Sequence, residues 1–329
     1  MTEFNSTQLR NLALVGHGKS GKTSIAENCL FKCGATNRVG KTDDGTSILD
    51  YEPEEVKRKM TIDSSLASCE WQGYKINFID TPGYPDFTGE VKSALTACES
   101  AIVVVSATSG IEIETDRAWK YAEELSLPRA IFINKMDRES RNPFDLLEQI
   151  EDELGIKTYP VNWPIGSGKD FKGVYNRASK HIVSFSANGN SKQADAVEVD
   201  LNDSSLDTLI GAEHRETLLE DIELLDGASE EFDMEQVRKG KLSPVFFGSA
   251  LTNFGVETFL QHFLKMTYAP TARQSDIGMI DPFSEDFSAF VFKIQANMNK
   301  NHRDRIAFMR ICSGQFTAGM EVYHVQGGK

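Results

Sequence analysis

Residues 11–23 read NLALVGHGKSGKT, the most informative stretch of the chain for its fold class. A short apolar run leads into a glycine-rich loop that satisfies the pattern G-x-x-x-x-G-K-[ST] at residues 16–23. Apolar residues at helical spacing follow in 23–33, so the loop lies between a strand and a helix. Backbone N–H groups of such a loop approach phosphates, while Lys22 reaches the β- and γ-phosphates and the Thr23 hydroxyl ligates Mg²⁺. A plain glycine turn has no use for the Lys-Thr pair, so the pattern predicts a phosphate-binding loop.

The alternation of elements continues from this loop to residue 137. Strand candidates are 74–80, 101–107 and 129–135, and the last two are nearly continuous apolar runs. Such runs are typical of strands buried on both faces of a parallel sheet, with helices such as 115–125 crossing between them. The sequence therefore predicts a doubly wound, mostly parallel α/β domain that binds its ligand at the carboxyl ends of the strands.

The pattern changes near residue 141. An amphipathic helix at 143–155 precedes a stretch rich in Gly, Pro and aromatic residues, and a buried strand returns at 243–250. We therefore expect a nucleotide-binding domain over 1–270 with an inserted subdomain at about 141–242.

The C-terminal part of the chain has a different pattern. A polar segment, 271–285, predicts a linker, and alternating strand candidates follow in 286–329. We expect these strands to be the incomplete start of a β-barrel domain.

Composition excludes several protein classes. The chain has 329 residues, 40% of them apolar and 26% charged, as in ordinary globular proteins. No apolar run approaches the roughly 20 residues of a spanning helix, and the N-terminus has no secretion signal. The five scattered cysteines predict reduced thiols in the cytoplasm; they are Cys29, Cys33, Cys69, Cys98 and Cys312.

The net charge of −14 is concentrated in one region. Residues 191–240 hold 15 Asp and Glu against 4 Lys and Arg, a balance of −11. The rest of the chain carries only about −3 by the same count. Charge therefore does not exclude a partner that contains nucleic acid.

Asp80-Thr81-Pro82-Gly83 ends the strand at 74–80. Asp80 in this place would hold the Mg²⁺ shell through water, and Gly83 would offer its N–H to the γ-phosphate. Thr61 lies in the loop before this strand, where a threonine can ligate Mg²⁺ when the γ-phosphate is present. As a lone threonine it is equally consistent with an ordinary loop hydroxyl.

Two further loops indicate the base. Asn134-Lys135-Met136-Asp137 closes the strand at 129–135, and Asp137 can accept hydrogen bonds from guanine N1–H and its 2-amino group. Adenine has neither donor, so a guanine nucleotide is favoured over an adenine nucleotide. Gly248-Ser249-Ala250 would contribute backbone N–H groups to guanine O6.

The motifs GHGKSGKT, RKMTI, DTPGYPDF, NKMD and GSA, in this order, resemble those of the translational GTPases. Up to about residue 138 the sequence is similar to those of elongation factor G-like proteins. From about residue 141, and above all in FVFKIQANMNKNHRDRIAFMRICSG, it is similar to peptide chain release factor 3.

The resemblance implies a P-loop GTPase domain that binds GTP or GDP with Mg²⁺ and hydrolyses GTP on the ribosome, with class-I release factors or other translation factors as partners. It implies no membrane or DNA partner. The implied catalytic residues are Lys22, Thr61, Gly83 and Tyr84, and the metal ligands are Thr23, Thr61 and Asp80. The implied nucleotide-binding residues are Gly16, His17, Gly18, Lys19, Ser20, Gly21, Lys22, Thr23, Ser24, Asp80, Thr81, Pro82, Gly83, Asn134, Lys135, Asp137, Ser249 and Ala250.

Two residues depart from the family pattern. Tyr84 stands where most translational GTPases carry a histidine that positions the attacking water, so it either slows hydrolysis or closes an aromatic gate. Lys19 stands where the P-loop usually carries Asp, and it either adds positive charge near the phosphates or faces solvent. We therefore keep three functions open: a release factor 3-like GTPase, an elongation factor G-like GTPase, and a GTP-gated binding module with little hydrolysis. The charged residues 302–305 are either a solvated loop or a contact to ribosomal RNA phosphate.

Overall fold

The computed structural model describes residues 4–185, 196–228, 230–296 and 305–328. Its strands are β1 (Leu9–Val15), β2 (Ser65–Trp71), β3 (Tyr74–Asp80), β4 (Ser100–Ser106), β5 (Arg129–Asn134), β6 (Lys157–Pro160), β7 (Asn162–Ile165), β8 (Gly173–Asn176), β9 (His181–Phe185), β10 (Ala196–Asp200), β11 (Leu242–Phe247), β12 (Arg273–Ser275), β13 (Gly278–Ile280), β14 (Ser288–Ala296) and β15 (Arg305–Ser313). Its α-helices are α1 (Lys22–Lys32), α2 (Pro53–Arg58), α3 (Thr88–Thr96), α4 (Ile113–Glu124), α5 (Pro143–Leu154), α6 (Leu206–Ile210), α7 (Ala212–Ala228), α8 (Met234–Arg238) and α9 (Val256–Met266).

A seven-stranded sheet organises the predicted nucleotide-binding domain in the order β2-β3-β1-β4-β5-β11-β6. All neighbouring strands in it are parallel except β2, which runs antiparallel to β3 at one edge. Every residue of β4, β5 and β11 is buried, as expected for strands covered on both faces. The predicted α/β class, with a mostly parallel sheet, is confirmed.

Helices cover both faces of this sheet and create two cores. Alternate residues of β1 point to opposite faces, so Leu12 and Leu14 pack with α1 and α9, whereas Ala13 and Val15 pack with α3, α4 and α5. The parallel strands direct the loops after β1, β3, β5 and β11 to one edge of the sheet. The predicted functional motifs all lie in those loops, apart from Thr61, which precedes β2.

The region predicted as an insert, 141–242, contains a second sheet. Its four strands are antiparallel in the order β10-β9-β8-β7. β6 falls within the predicted bounds but pairs with β11 and forms the edge of the main sheet. Residues 186–195, of which 191–195 begin the acidic stretch, lie outside the described residues.

The C-terminal elements are two hairpins. β12 and β13 pair within the segment predicted as a plain polar linker, and β14 pairs with β15 in the predicted barrel region. Residues 302–304 of the charged loop lie outside the described residues. Within the described ranges, every helix is too short or too polar to cross a bilayer.

Candidate nucleotide-binding site

The glycine-rich loop joins β1 to α1 and places its lysine inside the loop. Lys22 Nζ donates hydrogen bonds to the backbone oxygens of Gly16 at 3.0 Å and His17 at 2.9 Å. α1 begins at Lys22 without a side-chain cap at Gly21, so its first N–H groups remain available to an anion. The loop therefore has the geometry of a phosphate cradle at a helix N-terminus.

The loop after β3 packs directly against this cradle. A Cβ added to Gly83 would lie 2.4 Å from Lys22 Nζ and 2.5 Å from the backbone nitrogen of Gly18, so only glycine fits. The Thr81 hydroxyl fixes the start of the loop by donating to the backbone oxygen of Leu14 at 2.6 Å. The half-buried ring of Tyr84 covers Gly18, whose added Cβ would lie 2.8 Å from the ring carbon Cζ.

The three predicted metal ligands form one buried cluster. The Thr23 hydroxyl donates to Asp80 Oδ2 at 2.6 Å and lies 3.1 Å from the Thr61 hydroxyl. Thr61 in turn donates to Asp50 Oδ1 at 2.8 Å. Asp50 was missed by the sequence analysis, because a lone aspartate in a polar loop has no distinguishing spacing.

The electrostatics of this cluster favour a divalent cation. Burial and the nearby charge of Asp50 raise the pKa of Asp80 to about 7, and burial lowers the pKa of Lys22 to about 8. Asp80 Oδ1 is buried without a hydrogen-bond partner among the described residues. The cluster offers two carboxylates and two hydroxyls, which are the hard oxygen ligands that Mg²⁺ prefers. These residues therefore fit the implied ion.

The loops predicted to recognise the base meet at the other end of the site. Asn134 links them, since its Nδ2 donates to the Ser20 backbone oxygen at 2.9 Å and its Oδ1 accepts from the Ala250 N–H at 2.9 Å. Asp137 Oδ1 accepts a 2.5 Å hydrogen bond from the Ser249 hydroxyl. The half-buried Lys135 has a lowered pKa, because burial disfavours its charge.

A cavity of about 390 Å³ connects the two ends. It is lined by five lysines and an arginine but only two acidic side chains, a charge balance suited to a polyphosphate. The lining charged residues are Lys19, Lys22, Lys41, Lys59, Lys135, Arg138, Asp43 and Asp137. Thr23, Ser24, Thr61, Gly83, Tyr84, Asn134 and Ala250 also line it.

The remaining predicted residues lie at the edges of the site. Lys19 is exposed at the cavity mouth in a left-handed backbone conformation, with φ of 63°. His17 turns away from the cavity, with its Nε2 3.5 Å from a carboxylate oxygen of Glu112. Pro82 is buried behind the loop that carries Gly83.

Comparison with known proteins agrees with this geometry. The family model for the elongation factor Tu GTP-binding domain matches residues 7–269, and that for elongation factor G domain 2 matches residues 286–329. Peptide chain release factor 3 from Cyanothece sp. (strain PCC 7425) is 43% identical over 97% of this chain and 60% of its own length. The corresponding factor from Symbiobacterium thermophilum is 41% identical over 97% of this chain and 62% of its own length.

A crystal structure of a protein from Thermus thermophilus superposes with a TM-score of 0.75 at 30% identity, covering 95% of this chain and 47% of that one. The chain thus spans about 60% of the length of the curated relatives it matches. The release factor 3 likeness extends over the first 140 residues as well as the rest. From the match over residues 7–269, the chain belongs to the translational GTPases, the family that carries the elongation factor Tu GTP-binding domain.

Proposed function

We propose that this chain binds GTP and GDP with Mg²⁺ and hydrolyses GTP in the cytoplasm as part of a release factor 3-like ribosomal factor. The observation that carries the proposal is the cavity that joins the phosphate cradle, the Thr23–Asp80 cluster and the loops at Asn134 and Ala250. The curated relatives named peptide chain release factor 3 support the ribosome and class-I release factors as partners.

Each residue then has a role in the proposed reaction. Lys22 and the free N–H groups of α1 hold the β- and γ-phosphates and stabilise the charge that develops on them. Thr23 and Thr61 would ligate Mg²⁺ and Asp80 would hold its water shell; the ion supplies charge neutralisation when bound. Gly83 lies against Lys22, so its N–H is close enough to respond to a γ-phosphate. Asp137 and Asn134 select guanine.

Tyr84 distinguishes the GTPase from a GTP-gated binding module. A phenol does not accept a proton from water at neutral pH as an imidazole does, and this ring packs on Gly18. Phosphate release should therefore be measured with and without ribosomes. Ribosome-stimulated turnover supports the enzyme, while tight GTP binding without turnover supports the module.

Tyr84→His provides the second arm of this test. If chemistry limits the rate, the imidazole should increase single-turnover hydrolysis about 10-fold or more, within the usual gain from a positioned base. Tyr268→His, at another half-buried tyrosine that lies outside the cavity lining, is a matched control. An unchanged rate in Tyr84→His would mean that the aromatic ring only closes the cavity.

The partner can be tested separately. A release factor 3-like protein should accelerate dissociation of a class-I release factor from terminated ribosomes, whereas an elongation factor G-like protein should act on ribosomes that carry tRNA. The test should compare this chain with a full-length release factor 3 relative, because the curated relatives are longer than the chain.

A further inference from the structure

A buried carboxylate on α1 has no part in the roles described above. Glu27 is completely buried and lies one helical turn after Thr23, so the two side chains share one face of the helix. Its Oε1 accepts hydrogen bonds from the Ser47 hydroxyl at 2.6 Å and the Ile48 N–H at 2.7 Å. An acceptor oxygen with two short hydrogen bonds from one loop fixes that loop firmly.

The second oxygen of Glu27 binds the other end of the same loop. Oε2 accepts from the Gly40 N–H at 3.1 Å. Gly40 is needed here, because an added Cβ would lie 2.5 Å from Oε2 and 2.8 Å from the Ser47 Cα. One carboxylate therefore closes the segment 40–49 into a loop held on α1.

This loop leads directly to the metal-binding cluster. The Ser47 hydroxyl, which donates to Glu27, accepts from the Asp50 N–H at 3.1 Å. Asp50 then accepts from the hydroxyls of Thr42 and Thr61, each at 2.8 Å. A continuous series of hydrogen bonds thus joins Glu27 to Thr61, which lies 3.1 Å from Thr23.

We propose that Glu27 is a positioning residue: it holds segment 40–49 on α1 in every nucleotide state and so keeps Asp50 ready to receive Thr61. The inference rests on the proposed function, since it assumes that Thr61 ligates the Mg²⁺ of bound GTP. Only the following segment, 51–62, then moves with the nucleotide. Pre-positioning Asp50 reduces the ordering that GTP binding must drive.

Trypsin tests this division, because both segments carry exposed lysines. Lys41 lies in the held segment, and Lys57 and Lys59 lie in the moving one. In the wild type we expect slow cleavage at Lys41 with either GDP or a non-hydrolysable GTP analogue, and cleavage at Lys57 and Lys59 that is faster with GDP.

Glu27→Gln should remove the hydrogen bonds at one of the two side-chain oxygens. The amide NH₂ that replaces this oxygen is a donor and would face a donor of the loop. We expect cleavage at Lys41 to accelerate about 10-fold in both nucleotide states, and affinity for the GTP analogue with Mg²⁺ to fall about 10-fold. GDP affinity should stay within about twofold, since GDP does not need Thr61. Ser47→Ala should change Lys41 cleavage and analogue affinity in the same direction by a smaller factor. This variant replaces Glu27→Gln as the test if Glu27→Gln does not fold.

Glu99→Gln is the matched control, the same substitution at a buried carboxylate that lies away from the cavity lining. It should lower the melting temperature without accelerating cleavage at Lys41. Unchanged Lys41 cleavage and analogue affinity in Glu27→Gln and Ser47→Ala would overturn the inference. Equal losses of GDP and analogue affinity in Glu27→Gln would also overturn it, as a merely structural effect. A wild type that binds no guanine nucleotide would instead contradict the proposed function.

Discussion

Two buried carboxylates at opposite ends of the main sheet are satisfied to very different degrees. Glu99, just before β4, accepts from Arg310 at 2.6 Å, Arg273 at 3.0 Å and Asn11 at 2.8 Å. Asp80, at the end of β3, accepts from Thr23 on one oxygen and has no partner on the other within the described part of the chain. The difference shows that the chain itself satisfies Glu99, while Asp80 keeps one oxygen available for the proposed Mg²⁺.

The network around Glu99 joins the main sheet to the two C-terminal hairpins. Arg310 belongs to β15 and Arg273 to β12, and both also donate to backbone oxygens at the C-terminal end of α3, the former to Ala97 and the latter to Thr96 and Cys98. These contacts neutralise both the carboxylate and the negative end of the helix. We therefore expect the network around Glu99 to stabilise the fold, whereas the cluster around Asp80 is proposed to bind Mg²⁺.

We expect the largest loss of stability from removing Glu99. Glu99→Ala leaves two arginines beside a buried gap, and breaking such a pair costs about 3–5 kcal/mol of unfolding free energy. Guanine nucleotide affinity should remain within about twofold of the wild type. Urea unfolding and GDP titration measure the two quantities. A loss below about 1 kcal/mol would mean that the network contributes little to stability.

Lys22→Ala tests the other end of the sheet through nucleotide affinity. The variant removes the buried charge that faces the phosphates, so GDP affinity should fall about 100-fold, equivalent to roughly 3 kcal/mol. Lys32→Ala, at the far end of the same helix and paired with Glu257, should change it by less than about twofold. Comparable losses in the two variants would place the phosphates elsewhere. Calorimetric titration measures both.

The raised pKa of Asp80 makes the stability of the protein depend on pH. Between about pH 4 and about pH 7 the folded protein retains a proton that the unfolded chain has lost, so Mg²⁺-free stability should fall as pH rises through this window. Asp80→Asn should remove this contribution and stabilise the Mg²⁺-free protein by about 1–3 kcal/mol at pH 8. Asp276→Asn, at an exposed carboxylate, serves as the control. Thermal unfolding at several pH values measures it, and an unchanged slope in Asp80→Asn would contradict the assignment.

The smallest effect concerns the base. Asp137→Asn replaces an acceptor by a donor opposite guanine N1–H, so GDP affinity should fall about 10-fold while ADP affinity stays the same. Asp152→Asn on the exposed side of α5 should leave both unchanged. Competition against a fluorescent nucleotide measures the ratio. An unchanged ratio would remove Asp137 from base selection.

The sequence predicted the loops that follow strands better than the contacts between loops. The helix expected at 143–155 is confirmed by α5, and the strand expected at 74–80 is β3, because periodicity and flanking glycine or proline mark them. The convergence of Gly83, Thr23 and Asn134 followed from the parallel sheet. β2 was not predicted, since an edge strand with one half-exposed face has a weak pattern.

The missed residues act through tertiary contacts. Asp50, Glu27 and Glu99 each bind partners that are distant in sequence, such as Glu99 with Arg310, and a single carboxylate has no spacing to reveal this. The sequence predicts a plain linker where the β12–β13 hairpin lies. The contact that attaches this hairpin to α3, from Arg273, is distant in sequence and leaves no local pattern. For Glu27 the sequence does contain one signal, since its spacing of four residues from Thr23 places both side chains on one face of the predicted helix.

Guanine nucleotide binding can be measured by calorimetric titration of the purified protein with GDP and with ADP, at about pH 7.5 with and without Mg²⁺. We expect tight GDP binding that strengthens with Mg²⁺, and ADP binding at least about 100-fold weaker, since adenine offers no donor to Asp137. Equal affinities for GDP and ADP, or no binding of either, would contradict this expectation.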